Sequence, residues 1–497
     1  MIRIQDRVIK EQKNFWSAAL FHPTDAVEDP WGRRILDRIA ADKAIQTVRV
    51  YSMFEDIVYL DENGRICYDF RLSDLRLDYL TSCGFKLLVA YAGMPDCIAK
   101  TTANKTSVSK NKTRYKGKMW NTSVPRDYAV WEELCYEYTK HNIERYGEDV
   151  VAKWQLQCFN ESDVAAFFMG DTPEDLWEVR CEEYCKLYEA YEKGIRRASE
   201  KMTIGGPALA HRQDFLGAFL DYVKENHLRL DFISLHNYGA TPAELNDGSR
   251  RITVANNVKR HRKYAQNIAA HGFEGTEIVI DEWGFATGGF LNREECPALM
   301  FRETEKFASY YVKLISEFIQ NDFHLSTLMI CLSGQHEMVE DFSGFRNFFT
   351  LNFIAKPIYN AHLLASRLKE GLLAAEVSDQ SLFTVPTKNE NGEYAVLLTY
   401  ASEYFEADIP DKVEVLTFDE DITGKEVTVW RIDKSTANPY GTWMRMGCPE
   451  IEGDVLKLLL DEGQIKPVSV EIATSNSVML PLSPNATCLV EVRNATN

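Results

Sequence analysis

KWQLQCFNE (residues 153–161), DLWEVRCEEYCKLYEAYEKGIRRA (175–198) and KMTI (201–204) follow one another as a short apolar run, an amphipathic stretch and a second short apolar run. In the middle segment Tyr184, Leu187, Tyr188, Tyr191 and Ile195 recur at three- and four-residue spacing, which puts them on one face of a helix. Strand, helix, strand in this order is the repeating unit of a parallel sheet. Outward from it the unit repeats. The candidate strands are Trp16–Leu20, Thr47–Tyr51, Phe85–Ala90, Lys153–Phe159, Lys201–Ile204, Leu230–Leu235, Glu277–Ile280 and Leu325–Ile330. Another helical face, Phe307, Tyr311, Leu314, Ile315 and Phe318, lies between Glu303 and Asn321. Eight such units over roughly 350 residues are what a (β/α)8 TIM barrel with some long loops requires. An open doubly wound sheet would need fewer strands and a Gly-rich phosphate turn, which is missing here. The expected fold is therefore α/β, with a TIM barrel over residues 14–360.

Beyond Ser366 the texture changes. Tyr394–Tyr400, Glu414–Phe418, Lys425–Ile432, Val468–Ile472 and Thr487–Val492 alternate apolar and polar residues between Asn, Gly, Asp and Pro. Short strands at this spacing, with no helices read between them, predict a β-sandwich over 361–497. The alternating segment Ile2–Lys10, within residues 1–13, is a candidate extra strand for it. No internal repeat is present. Lys100–Lys118 has no periodicity and reads as a loop after the third strand. Its seven cations in 19 residues suit either a solvated loop, the preferred reading, or a contact for an acidic or sulfated sugar.

The 497 residues carry 56 Lys and Arg against 74 Asp and Glu, a net charge of −18, and an acidic chain repels a phosphate backbone. Nucleic acid is not an expected partner. No window approaches the roughly 18 apolar residues of a membrane span, and the N-terminus builds no apolar signal segment. Eleven cysteines make an odd count without metal-ligand spacing, and Cys181 and Cys185 lie one helical turn apart. They read as buried thiols of a reducing, cytoplasmic compartment. Asn160-Glu161-Ser162 is formally a glycosylation sequon, but it falls where the active site is expected.

In such a barrel the site forms at the C-terminal ends of the strands. Glu161 ends the fourth strand and Glu282 the seventh, on facing sides of the mouth. Two carboxylates about 5–5.5 Å apart can hydrolyse a glycosidic bond with retention, one protonated and one ionised. The residues alone leave open which is which. Asn160 can bond a sugar 2-hydroxyl, Trp283 can offer an aromatic face, and Tyr238, after His236 and Asn237, can hold a nucleophilic carboxylate. His336 and Glu337, past the eighth strand, are candidates for a sugar hydroxyl. None of the ten histidines has the His-x-His arrangement of a metal hydrolase, and no cofactor is expected.

These residues, with several further segments, resemble glycoside hydrolase family 39, which includes β-xylosidases and α-L-iduronidases. The similarity runs over nearly the whole chain. It includes Trp120-Asn121-Thr122-Ser123-Val124-Pro125 with Tyr128 and Trp131, Asn160-Glu161, Gly205-Gly206-Pro207-Ala208, and Asp231-Phe232-Ile233-Ser234 leading to His236 and Tyr238. Glu282-Trp283, Lys356-Pro357 with Tyr359, and Arg431-Ile432-Asp433 followed by Asn438-Pro439-Tyr440 and Trp443 complete it. The resemblance implies that Glu161 is the acid/base and Glu282 the nucleophile, and it adds Trp120 and Tyr51 to the expected sugar contacts. Ser162 stands where the family usually has proline, and Asp281 where threonine is common. A histidine near Tyr51 and a tryptophan after Ile330 are missing. These departures touch sugar specificity rather than hydrolysis.

The expectation is a retaining, exo-acting glycosidase for an oligosaccharide or glycoside, most readily a β-xylosidase. The alternatives are the same chemistry on an α-L-arabinoside or a uronic acid, and a silent carbohydrate-binding barrel. A homo-oligomer is compatible with the resemblance.

Overall fold

The computed structural model describes residues 1–21, 27, 29–107, 119–172, 174–289, 291–332, 338, 340–407 and 409–495. Eight parallel strands close into a barrel: Ala18–Phe21, Thr47–Tyr51, Lys86–Tyr91, Gln155–Cys158, Thr203–Leu209, Phe232–Tyr238, Glu277–Gly284 and Leu325–Leu332. Each pairs with its neighbour in chain order, and the eighth returns to the first through Met329 opposite Ala18. All eight expected strands are present. The fifth, sixth and seventh run further than their apolar stretches, because polar residues such as His236 and Glu282 continue the ladder into the mouth.

Two irregularities in that ladder matter. Between the sixth and seventh strands Leu235 faces Ile280 while His236 faces Glu282, so Asp281 is an extra residue on the seventh strand. Between the fifth and sixth, Pro207 faces Ser234 and Leu209 faces Leu235, leaving Ala208 extra at φ 54°. Such bulges re-aim side chains at a barrel rim.

The helix Trp177–Ala198 packs against Tyr128–Tyr146 on the outside of the barrel. The helix Glu305–Gln320, capped by the Thr304 side chain, is buried nearly all round. One face lies on the barrel, and another meets the C-terminal domain through Ser309 to Thr399 (2.7 Å) and Tyr310 to the Ser402 carbonyl (3.1 Å).

The C-terminal strands form one nine-stranded, mostly antiparallel sheet. Its order is Pro467–Ile472, Glu426–Ile432, Thr487–Arg493, Tyr394–Tyr400, Leu382–Lys388, Gly371–Val377, Ile2–Glu11, Lys412–Phe418 and Ser477–Leu482. The N-terminal strand is thus internal, antiparallel to Gly371–Val377 and parallel to Lys412–Phe418. Three strands separate those of Tyr394 and Phe418, about 19 Å along a flat sheet. Yet their rings are 5.1 Å apart, so the sheet folds over onto itself in two layers. Ile2, Ile4, Leu416 and Leu480 of one layer share a core with Val396, Leu398 and Val490 of the other.

The helix-free reading of this region is corrected by two short helices, Pro439–Arg445 and Gly453–Glu462. The first starts at an Asn438 side-chain cap with Pro439 in its first turn, a local signal stronger than the surrounding strand pattern. Tyr440 and Trp443 pack on Phe342, and Leu459 on Ile354, so this insertion supports the chain that follows the eighth barrel strand. Among the described residues no helix is long and apolar enough to cross a membrane.

Candidate active site

Glu161 follows the fourth strand in a constrained backbone. Phe159 and Glu161 have φ of 60° and 47°, a region that non-glycine residues seldom occupy. The surroundings hold it there. Glu161 N–H donates to the Ala208 carbonyl at 2.9 Å, and Asp163 accepts backbone N–H groups of Ala210, His211 and Arg212, each at 2.9 Å. The bulged fifth strand and the end of the fourth are thereby locked together.

Across the mouth the extra residue on the seventh strand turns both Asp281 and Glu282 toward the barrel axis. Arg49 sits between them with its side chain fully buried. Its guanidinium donates to Glu282 Oε1 at 2.9 Å, to Gln157 Oε1 at 2.9 Å and to Asn160 Oδ1 at 2.7 Å, and its Nη2 lies 3.1 Å from Asp281 Oδ2. Gln157 in turn donates to Asp281 Oδ2 at 2.8 Å. Tyr238 donates to Glu282 Oε2 at 2.7 Å, and the Tyr51 hydroxyl is 3.4 Å from Oε1. His236 Nδ1 is 2.9 Å from Glu161 Oε1 and 3.6 Å from Glu282 Oε2, while its Nε2 faces Asp281 Oδ2 at 3.6 Å. Carboxylate oxygens of Glu161 and Glu282 and a ring nitrogen of His236 all lie within 4.8 Å of one another.

The surroundings shift the two glutamates in opposite directions. Burial raises the pKa of Glu161, and the nearby charge of Glu282 adds to this, outweighing the opposing bond from His236. Burial also disfavours charge on Glu282, but His236 and Arg49 overcome it and hold its pKa below the ordinary value. Burial opposes a charge on His236 too, yet Glu282 and Asp281 push its pKa well above normal. Asp281, buried as well, is brought down to about 2 by Arg49 and His236.

The residues expected from sequence divide in four groups. Glu161, Glu282, Asn160, His236, Tyr238 and Tyr51 converge. Trp120 lies beside them, its ring edge-on to Tyr51 at 6.3 Å and its N–H on the Phe167 carbonyl at 3.1 Å. Trp283 does not face the mouth: once the bulge has turned Glu282 inward, the next side chain points out. It is fully buried and stacked on Tyr311 at 5.8 Å, so it is packing between barrel and helix rather than a sugar platform. His336 and Glu337 lie outside the described residues, as does most of the basic loop. In its described part Lys100 pairs with Asp171 and Lys105 with Asp96.

Arg49, Gln157, Asp281 and Arg346 were not foreseen as site residues. Arg49 and Tyr51 alternate into the barrel, and an arginine within an apolar strand was a readable signal. Arg346 is in a loop without pattern, and its guanidinium lies over the Tyr238 ring at 5.1 Å. Glu161, His236 and Glu282 form the one grouping of metal-ligand type among the described residues. Arg49 at 2.9 Å from Glu282 places a fixed cation against that set, which fits an organic substrate better than a metal.

The model of the family described as "Glycosyl hydrolases family 39" matches residues 1–467. The chain belongs to glycosyl hydrolase family 39. This family 39 glycosidase is 24% identical over 505 aligned positions to a β-xylosidase of Caldicellulosiruptor saccharolyticus, covering 97% of this chain and 95% of that one. It is 25% identical over 260 positions to the α-L-iduronidase of Canis lupus familiaris, covering 47% and 35%. A monomeric β-xylosidase structure from Caulobacter crescentus CB15 superposes with a TM-score of 0.83 at 17% identity, over 100% of this chain and 99% of that one, a likeness of fold.

Proposed function

We propose that this enzyme is a retaining, exo-acting β-xylosidase in which Glu161 is the acid/base and Glu282 the nucleophile. The observation that carries the reading is the carboxylate pair, within 4.8 Å and with pKa values pushed in opposite directions. Glu161 O–H gives its proton to the glycosidic oxygen while Glu282 attacks the anomeric carbon. Glu161 then takes a proton from the water that displaces Glu282. Arg49 orients the Asn160 amide through Oδ1, turning its NH2 toward a sugar 2-hydroxyl. No cofactor enters, since side chains supply both proton and nucleophile. Xylose is favoured by the β-xylosidase that matches over almost its whole length. A uronic acid is the second reading, favoured by the buried Arg346 cation over Tyr238. Eleven cysteines without a disulfide support a reducing, cytoplasmic setting.

The pH dependence follows from the shifts. Activity needs Glu282 ionised and Glu161 protonated, so kcat/KM falls on the acid side as Glu282 gains its proton and on the basic side as Glu161 loses its own. The test is nitrophenol release from β-xyloside, α-L-arabinoside, β-glucoside, β-galactoside and α-L-iduronide, with Glu282→Ala beside the wild type. The expected result is turnover of the β-xyloside, reduced about 10³-fold or more in the variant. Preference for the iduronide would replace the sugar and keep the chemistry. Activity that survives the substitution would sink the assignment of Glu282.

A further inference from the structure

In the double displacement proposed above, on which this inference rests, negative charge changes place. It resides on Glu282 before the first step. After that step Glu282 is a neutral ester and Glu161, having given up its proton, is the anion. Water then returns the proton to Glu161 and frees Glu282. His236 Nδ1 faces both carboxylates, 2.9 Å from Glu161 and 3.6 Å from Glu282, and its ring is completely buried. A single N–H there can serve whichever glutamate is charged, provided the imidazole stays protonated through the cycle.

What would keep it so is behind the ring. Asp281 faces Nε2 at 3.6 Å, is itself fully buried, and is held by Arg49 at 3.1 Å and Gln157 at 2.8 Å. Its presence inside the barrel depends on the extra residue in the seventh strand. Without the bulge, strict alternation would send Asp281 and Glu282 to opposite faces. The other groups around the imidazole are Glu161 from the fourth strand, Glu282 from the seventh, Arg49 and Tyr51 from the second acting through Glu282, and Tyr238 on its own strand, with ring centroids 6.3 Å apart. None but the carboxylates favours a charged ring.

We propose that Asp281 is a positioning residue that keeps His236 a permanent imidazolium, a fixed cation between Glu161 and Glu282 whose Nδ1–H can turn to either carboxylate as the two exchange negative charge. Asp281 touches neither the sugar nor the reacting atoms. Its effect on Glu282 has two opposed parts. Directly, a like charge makes the nucleophile harder to ionise. Indirectly, by keeping His236 charged, Asp281 makes it easier to ionise, and His236, with Nδ1 3.6 Å from Glu282 Oε2, has the larger influence.

The indirect part is lost only where His236 becomes neutral, so the basic side of the profile decides. In the full-length enzyme, ¹⁵N NMR of the histidine ring nitrogens, with His236 assigned by His236→Gln, should show both nitrogens protonated in the wild type from about pH 5 to 8, against an ordinary titration near 6.5. In Asp281→Asn His236 should titrate within that range, and the basic limb of kcat/KM should move down to the pH at which His236 loses its proton. Asp281→Thr should repeat the effect. A wild-type His236 that is neutral at pH 7 overturns the proposal, and so does a basic limb that stays in place in a folded Asp281→Asn. The wild-type spectrum needs neither turnover nor a variant that removes Asp281. Loss of the proposed activity on every glycoside would count against the functional reading while the NMR result still decides this one.

Discussion

The barrel mouth and the core of the folded-over sheet are buried to the same degree and built from opposite materials. In the sheet, Val396, Leu398, Val490 and Leu416 are fully buried and purely apolar. In the mouth, Arg49, Asp281 and His236 are just as inaccessible, and all three are ionisable. Apolar burial contributes stability in proportion to area. Buried charges repay their desolvation only through close partners, and often only in part. The sheet core is thus a source of stability and the mouth a place where stability is given up to hold two carboxylates with oppositely shifted pKa values.

Three substitutions would break or sharpen that contrast, beginning with the largest effect on turnover. Arg49→Met removes the cation that touches Glu282, Asp281, Gln157 and Asn160 together. We expect kcat/KM to fall about 10²-fold or more, with a stability loss of about 3–5 kcal/mol from the stranded carboxylates, read by steady-state kinetics and urea unfolding. An unchanged kcat/KM would mean that the network is structural only. Tyr238→Phe removes one bond to a charged acceptor, worth about 1.5–3 kcal/mol, and should lower kcat/KM roughly 10- to 100-fold. Its acid limb should also move up, since that bond helps to keep Glu282 ionised. A pH profile that merely drops in height would contradict the second part. Leu398→Ala, in the sheet core, should cost about 3 kcal/mol of stability and leave kcat/KM of the folded enzyme within about twofold. A large loss of activity from that site would erase the division between the two regions.

The same contrast explains what could be read without coordinates. Periodicity is a local property, so Thr47–Tyr51 and the strand beginning at Glu277 were legible as strands, and Asp175–Ala198 as a helix. Strand ends are where barrel enzymes place their chemistry, so Glu161 and Glu282 could be singled out from 74 acidic residues. Trp283 was misjudged because it adjoins Glu282 in sequence, whereas in a strand adjacent side chains part company. The two short helices were missed because their lengths of 7 and 10 residues carry little periodic signal.

By itself, then, the sequence determined the eightfold strand–helix alternation, the change to short alternating strands after Ser366, the carboxylate pair and, through its motifs, the likeness to family 39. Only the tertiary structure decided that Ile2–Glu11, a candidate strand of the C-terminal sheet by its alternation, takes an internal place in it, between Gly371–Val377 and Lys412–Phe418. It alone decided that one additional residue at Asp281 brings a second acid into the mouth, and that Arg49 and His236 join four strands around the glutamates. The physical reason is range. Propensity and alternation act within a few residues, whereas register, sheet order and the pKa of a buried group are set by neighbours more than a hundred residues away, as Arg49 and Glu282 are.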